Sequence, residues 1–192
     1  MKVVNFNQKI FESFLHEELK DFLIENSSVL IIGIKEGGIP IAEMVKVSLE
    51  KITSTQLDFI TIKCQRPSTK SKKKSFIVKY LLKNLFKVLP QFFLNQVRIY
   101  EHKFLMNNGN QDRELYLPEN LQLDNYHKIL IVDDAVDSGY TLKNVVDKLE
   151  KNNSSAKIYS LAVVVTDKNA VKIPDYYLYS DVLIRFPWSL DG

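Results

Sequence analysis

The chain has 192 residues, 45% of them hydrophobic, and 26 basic against 23 acidic side chains give it a net charge of +3. That length can bury a sizeable single core and is short for two domains. One cysteine, Cys64, excludes a disulfide framework or a cysteine-based zinc site, His16, His102 and His127 show no metal-ligand spacing, and the absence of a membrane-length apolar run or a secretory layout makes a cytoplasmic protein the expectation.

Phe11, Phe14, Leu15, Leu19, Phe22 and Leu23 recur at helical spacing, which predicts an amphipathic helix over residues 7–25 with its stripe on the core. Ser27 and Ser28 break it, and Val29 to Ile34 reads as a short, continuously apolar strand. Lys35, Glu36, Gly37 and Gly38 then lead into a helix from Pro40 to Lys51, with proline near the first turn. A glycine pair ahead of a helix exposes backbone amides and Lys35 adds positive charge, a combination suited to an anion. Many ordinary turns also contain Gly-Gly, and the spacing is not that of a dinucleotide fingerprint. Leu57 to Lys63 alternates as a strand.

Residues 63–103 carry eleven lysines and arginines against Glu101 alone, a net +10, so the remainder of the chain is net acidic. Arg66 to Lys74 reads as a loop, and Phe76 to Phe93 as an amphipathic helix interrupted at Pro90. A basic insertion is therefore expected at about residues 64–120. Its open uses are a loop closing over a substrate, a packing or dimer surface, a nucleic-acid patch and a membrane-surface helix. Nucleic-acid and membrane contact rank last, because no recognition motif rises above composition.

Ile129 to Val132 reads as a buried parallel strand that runs into Asp133 and Asp134; Asp137, Ser138, Gly139, Tyr140 and Thr141 follow, and residues 141–150 have helical periodicity. These polar residues sit at the carboxyl end of a strand and the amino end of a helix, where open α/β sheets bind ligands. Amides of the first helical turn favour an anion such as phosphate, Gly139 permits close approach, and Ser138 and Thr141 add hydroxyl donors. Asp133 and Asp134 point to opposite faces of the strand end unless the chain bends there. They can accept hydrogen bonds from a vicinal diol or hold a divalent cation. A phosphate cradle beside a diol-binding acid pair points to a phosphorylated ribose.

Lys157 to Val165 reads as a further strand and Asp181 to Arg185 as a short final one. The whole pattern predicts one α/β domain over residues 1–192, with a mostly parallel sheet flanked by helices.

Ile129 to Leu142 resembles the ribose-phosphate signature of type I phosphoribosyltransferases. The resemblance implies that family's fold, with a small hood built from the chain ends, and a magnesium-dependent transfer of 5-phosphoribosyl from phosphoribosyl pyrophosphate. It implies that Asp133 and Asp134 face the ribose hydroxyls and Mg2+, and that Asp137 to Thr141 wrap the 5′-phosphate. The loop of Lys35, Glu36, Gly37 and Gly38 is similar to the family's pyrophosphate loop, although Glu36 stands where a basic residue is usual. In the 6-oxopurine branch the acid at the position of Asp137 is the general base. The carboxyl-terminal order is similar to the base-recognition end of hypoxanthine, guanine and xanthine enzymes, so Lys168 would contact the 6-oxo group and Leu183 with Ile184 would cover or read the base. Leu183 replaces an expected stacking tryptophan. Phe186 and Trp188 read as core or dimer packing. A homodimer is the default that the resemblance implies.

Two alternatives stay open. A non-catalytic sensor of phosphoribosyl pyrophosphate or nucleotide would use the same pocket, and Glu36 and Leu183 favour it. Transfer to an acceptor other than a nucleobase is the other. A phosphoreceiver domain also opens with paired acids after an apolar strand, but too little chain follows Asp134 to complete one.

Overall fold

The computed structural model describes residues 1–20, 22, 28–52, 57–65, 99, 114–118, 121–152 and 155–189. Eight strands and three α-helices are described: β1 (Lys2–Asn5), α1 (Gln8–Glu18), β2 (Val29–Ile34), α2 (Gly38–Glu50), β3 (Leu57–Gln65), β4 (Glu114–Tyr116), β5 (Lys128–Val136), α3 (Tyr140–Asn152), β6 (Lys157–Val165), β7 (Tyr176–Ser180) and β8 (Val182–Arg185). Six of the strands form one sheet in the order β4-β3-β2-β5-β6-β7. All neighbours in it are parallel except β3 and β4.

Alternation along the central strands assigns side chains to the two faces, because successive residues of a strand point opposite ways. Val29 and Ile31 of β2, with Leu130 and Val132 of β5, meet Phe11 and Leu15 of α1 and Ile41, Val45 and Leu49 of α2. Leu30, Ile32, Ile129 and Ile131 face the other way, onto Leu142, Val145, Val146 and Leu149 of α3. Each of these side chains is nearly or fully buried. A sheet covered on both faces explains why β2 and β5 are continuously apolar rather than alternating.

The predicted first helix is shorter than its apolar stripe. Asn7 caps it, its side chain accepting a hydrogen bond from the Ile10 amide at 3.2 Å. The helix stops at Glu18, and the stripe continues in a turn that keeps Leu19 and Phe22 buried, with the Phe22 amide bonded to the Leu19 carbonyl. The second helix starts at Gly38, two residues before Pro40.

Three strands fall outside the predicted set. β1 pairs with β8 in parallel, Lys2 opposite Val182 and Asn5 opposite Arg185, forming a separate two-stranded ribbon from the two chain ends. This ribbon is the expected hood. β7 is an edge strand rich in tyrosine, and its half-buried pattern gives no clean two-residue alternation. β4 returns the chain antiparallel to β3, Glu114 opposite Gln65. The predicted loop and helix of the basic insertion, residues 66–74 and 76–93, lie outside the described residues. Among the described residues, no helix is long and apolar enough to cross a membrane.

Phe186 and Trp188 do pack as expected. Their rings stack with centroids 5.1 Å apart, and Phe6 contacts both.

Candidate active site

The chain order around the sheet locates a crevice before any side chain is considered. From β2 the chain moves to β3 on one side, and later returns to lay β5 against the other side of β2. Loops leaving the carboxyl ends of β2 and β5 diverge there, and such a switch point is where parallel sheets hold ligands. Both predicted anion loops leave from these two strand ends, residues 35–38 from β2 and residues 137–139 from β5.

The acid pair lies inside β5, not beyond it. Side-chain alternation changes phase across Asp133 and Asp134: Ala135 packs with the cluster that contains Leu130 and Val132, and Val136 with the one that contains Ile129 and Ile131. Both carboxylates therefore come near the glycine loop of β2. Oδ1 of Asp133 accepts the Asp134 amide hydrogen at 2.9 Å. A Cβ on Gly37 would lie 2.1 Å from Oδ2 of Asp134, and one on Gly38 would lie 2.7 Å from the Val132 carbonyl oxygen and 2.9 Å from the Cα of Asp133. Close backbone approach thus requires glycine at position 38, whereas a side chain at position 37 would have to displace the Asp134 carboxylate. Burial raises the Asp133 carboxyl well above its ordinary range, and the Asp134 charge raises it further. Asp134 is raised too, chiefly by burial. Lys35 and Glu36, joined by a cis peptide, are both exposed beside this glycine pair. The Lys35 amide donates to the Ile62 carbonyl at 2.8 Å, which ties the start of the loop to β3.

Asp137, Ser138 and Gly139 link β5 to α3, and Tyr140 and Thr141 form that helix's first turn. Gly139 has a φ of +78°, and a Cβ there would meet the backbone N and O of Lys172 at 2.6 Å. The Ser138 carbonyl accepts the Val171 amide hydrogen at 3.0 Å, and the Gly139 carbonyl accepts that of Lys143 at 2.9 Å. The loop is therefore held from both sides. It encloses a cavity of about 120 Å³ lined by Asp133, Ala135, Val136, Asp137, Ser138, Gly139, Thr141 and Leu142. Sites for whole small-molecule ligands run to about 300–1,000 Å³, so this one suits a single compact group. No acidic residue occupies the first turn of α3, which leaves its positive dipole end unopposed by the helix itself. Tyr140 and Asp134 do not line the cavity.

Asp137 is oriented by a residue that the sequence pattern does not reveal. The Thr166 hydroxyl donates to its Oδ1 at 2.6 Å, and the Thr166 amide donates to the Val136 carbonyl at 2.9 Å. Thr166 lies just past β6, and only the β5–β6 register puts it opposite the signature. Val171 and Lys172 were likewise invisible, because no local motif marks a segment that packs against a distant glycine.

Two residues beyond Thr166, the ammonium of Lys168 pairs with Oδ2 of Asp181. Its hydrogen bond and charge hold the Lys168 ammonium above the usual lysine range. Asp181 stands between β7 and β8, immediately before the segment that contains Leu183 and Ile184. Both of those side chains are buried, and Ile184 belongs to the core cluster with Phe11. Its side chain is thus committed to packing, and its strand pairs with β1, Val4 opposite Ile184.

The described residues hold no cluster of three or more His, Cys, Asp or Glu side chains able to bind a metal. Two adjacent carboxylates are nevertheless the hard oxygen donors that magnesium takes, since it usually binds one or two carboxylates and fills its other positions from water and substrate phosphate. Burial that disfavours ionisation of both acids is the condition a divalent cation relieves. The acid pair fits such an ion.

A model of the phosphoribosyl transferase domain matches residues 7–191. A search of curated proteins gave no match. Among solved structures, a purine phosphoribosyltransferase from Pyrococcus horikoshii is 21% identical with a TM-score of 0.58, and a xanthine-guanine-hypoxanthine phosphoribosyltransferase from Helicobacter pylori is 16% identical with a TM-score of 0.62. Each alignment covers 98% of this chain and 95% of the other. A hypoxanthine phosphoribosyltransferase from Trypanosoma cruzi, in complex with the product IMP, is 10% identical over 90% of this chain and 70% of that one, with a TM-score of 0.56. At these identities the likeness is one of fold.

Proposed function

The chain belongs to the phosphoribosyl transferase domain family, and on that premise we propose that it transfers 5-phosphoribosyl from phosphoribosyl pyrophosphate to a 6-oxopurine base and releases pyrophosphate. One observation carries the reading: a glycine-lined backbone, a carboxylate pair and a phosphate-sized cavity adjoin one another at a single switch point. Those features match the diphosphate, the vicinal diol and the 5′-phosphate of one donor. The names of the Pyrococcus, Helicobacter and Trypanosoma enzymes support a purine acceptor.

In this reading the amides of residues 138–141, with the hydroxyls of Ser138 and Thr141, bind the 5′-phosphate. Asp133 and Asp134 accept hydrogen bonds from the ribose 2′- and 3′-hydroxyls and hold magnesium, which neutralises charge on the departing pyrophosphate when bound. Lys35, Gly37 and Gly38 face that pyrophosphate, and Glu36, exposed in the same loop, turns its carboxylate to water. As the C1–O bond breaks, positive charge develops on the ribose. A purine ring nitrogen bonds to C1, and Asp137, held by Thr166, accepts the proton from N7. Lys168 donates to the 6-oxo group, while Leu183 and the Ile184 backbone border the base.

Pyrophosphate release by purified protein, with phosphoribosyl pyrophosphate, magnesium and a panel of purine and pyrimidine bases, tests this. Turnover with hypoxanthine, guanine or xanthine supports it. Tight donor binding with no turnover on any base would instead support the sensor reading. A cytoplasmic homodimer is proposed as the working form, and sedimentation of the purified protein tests the assembly.

A further inference from the structure

Lys168, the proposed partner of the 6-oxo group, is ion-paired with Asp181, a residue with no role in the transfer reaction as proposed. Lys168 lies two residues past Thr166, whose hydroxyl is bonded to Asp137, so it stands on the same rim as the proposed general base. Its partner Asp181 has a φ of 59°, the only left-handed conformation at a non-glycine residue among those described. Its amide donates to the Val165 carbonyl at 3.0 Å, which fixes the turn between β7 and β8 against the end of β6. A left-handed L-residue carries a backbone cost that glycine would avoid. Such outliers cluster at functional sites. The retained side chain is a carboxylate, and one of its oxygens, Oδ2, meets the Lys168 ammonium. Lys168 is 69% and Asp181 47% exposed, so the pair's worth for folding is small. It presents a donor and an acceptor side by side just past the carboxyl end of β6, the strand end that also carries Thr166.

We propose that Asp181 is a specificity-determining residue that reads the lactam edge of the acceptor together with Lys168. The inference rests on the nucleobase-transfer reading above. A lactam places a carbonyl oxygen next to an N–H. The ammonium of Lys168 donates to the oxygen, and the carboxylate of Asp181, which can accept several hydrogen bonds, takes the neighbouring N–H. A 6-oxopurine has this edge at O6 and N1–H. Adenine reverses it, with an amino donor at position 6 and a lone pair at N1, so it meets a donor with a donor and a carboxylate with a lone pair. Leaving charged groups unpaired in this way is what separates polar analogues in a binding site. The buried aliphatic Leu183 supplies no aromatic platform, which leaves edge recognition as the stronger contribution to base selection.

The test compares the wild type with D181N and D181G, using hypoxanthine, 1-methylhypoxanthine and adenine. Asparagine tolerates the left-handed conformation as aspartate does, and glycine relieves it, so both variants are expected to keep the wild-type melting temperature or exceed it. The proposal expects KM for hypoxanthine to rise about 10–100-fold in both, the loss typical of a charge-assisted hydrogen bond. KM for phosphoribosyl pyrophosphate stays the same, and kcat falls far less than KM rises. The preference for hypoxanthine over 1-methylhypoxanthine, which lacks N1–H, collapses in D181G and narrows in D181N, whose Oδ1 accepts only a weaker, neutral hydrogen bond, and discrimination against adenine relaxes in D181N. A hypoxanthine KM within twofold of wild type in both folded variants would overturn the role of Asp181 while leaving nucleobase transfer intact. A wild type that releases no pyrophosphate with any base would overturn both.

Discussion

Gly37 sits directly against the carboxylate of Asp134: the Cβ it lacks would lie 2.1 Å from Oδ2, 2.4 Å from Cγ and 2.6 Å from Oδ1. A loop and a strand far apart in sequence are thereby packed with only hydrogen between them. The two glycines of that loop meet different things, and their substitutions should fail differently. Gly37→Ala collides with a side-chain terminus, so it displaces the Asp134 carboxylate and should weaken donor binding at least tenfold with a modest loss of stability. Gly38→Ala meets the Val132 carbonyl and the Asp133 Cα, backbone that cannot step aside. It should cost about 1–3 kcal/mol or more, as overpacking a tight core does. Parallel measurements of KM for phosphoribosyl pyrophosphate and of urea unfolding separate the two.

Asp133 and Asp134 should make the free protein less stable as pH rises. Both carboxyls are raised above their ordinary value of 3.8 in the folded state, chiefly because the half-buried site desolvates them. Between 3.8 and the raised values the folded chain therefore holds more protons than the unfolded one, and the free energy of unfolding falls with increasing pH. Their favourable contribution is complete below 3.8 and is lost as pH passes through the folded-state values. Asp134→Asn should consequently stabilise the free protein at neutral pH by roughly 0.5–2 kcal/mol, at the cost of function. Urea unfolding from pH 4 to pH 7 should show the gap between variant and wild type widening with pH. A constant gap would contradict the burial account.

Asp137→Asn should leave phosphoribosyl pyrophosphate binding largely intact and remove most turnover. Asp137 lines the phosphate-sized cavity, but in the proposed function amides and hydroxyls, not this carboxylate, hold the anion there. Isothermal titration with the donor, followed by single-turnover kinetics with base, distinguishes binding from chemistry. Wild-type turnover in this variant would rule out its role as base.

Thr166→Val keeps the shape of the side chain and removes the hydroxyl that donates to Oδ1 of Asp137. Hydrogen bonds to charged groups contribute about 1.5–3 kcal/mol, so kcat should fall roughly tenfold to a hundredfold. KM for phosphoribosyl pyrophosphate should change little. An unchanged kcat would show that Asp137 is positioned by other contacts.

Local chemistry made the centre of the site legible. The run from Ile129 to Thr141 carries its own strand, its own helix start and every polar group between them, so strand-end placement followed from hydrophobic pattern alone. Lys35 to Gly38 was legible for the same reason. Residues whose contribution depends on a neighbour were not. Thr166 meets Asp137 because β6 lies in register beside β5, and Asp181 meets Lys168 because the turn after β7 folds back onto Val165. β1 leaves no local signal because its four residues gain their strand character from β8 at the far end of the chain.

The sequence by itself determined where the proposed donor site lies: an apolar strand, paired acids and a glycine-bearing helix start place these groups together through short-range geometry. Tertiary structure decided how that site is completed. It turned Asp133 and Asp134 onto the glycine loop, set Thr166 on Asp137, and paired Lys168 with Asp181. Those relationships come from sheet order and register, which bring together residues that no local pattern connects.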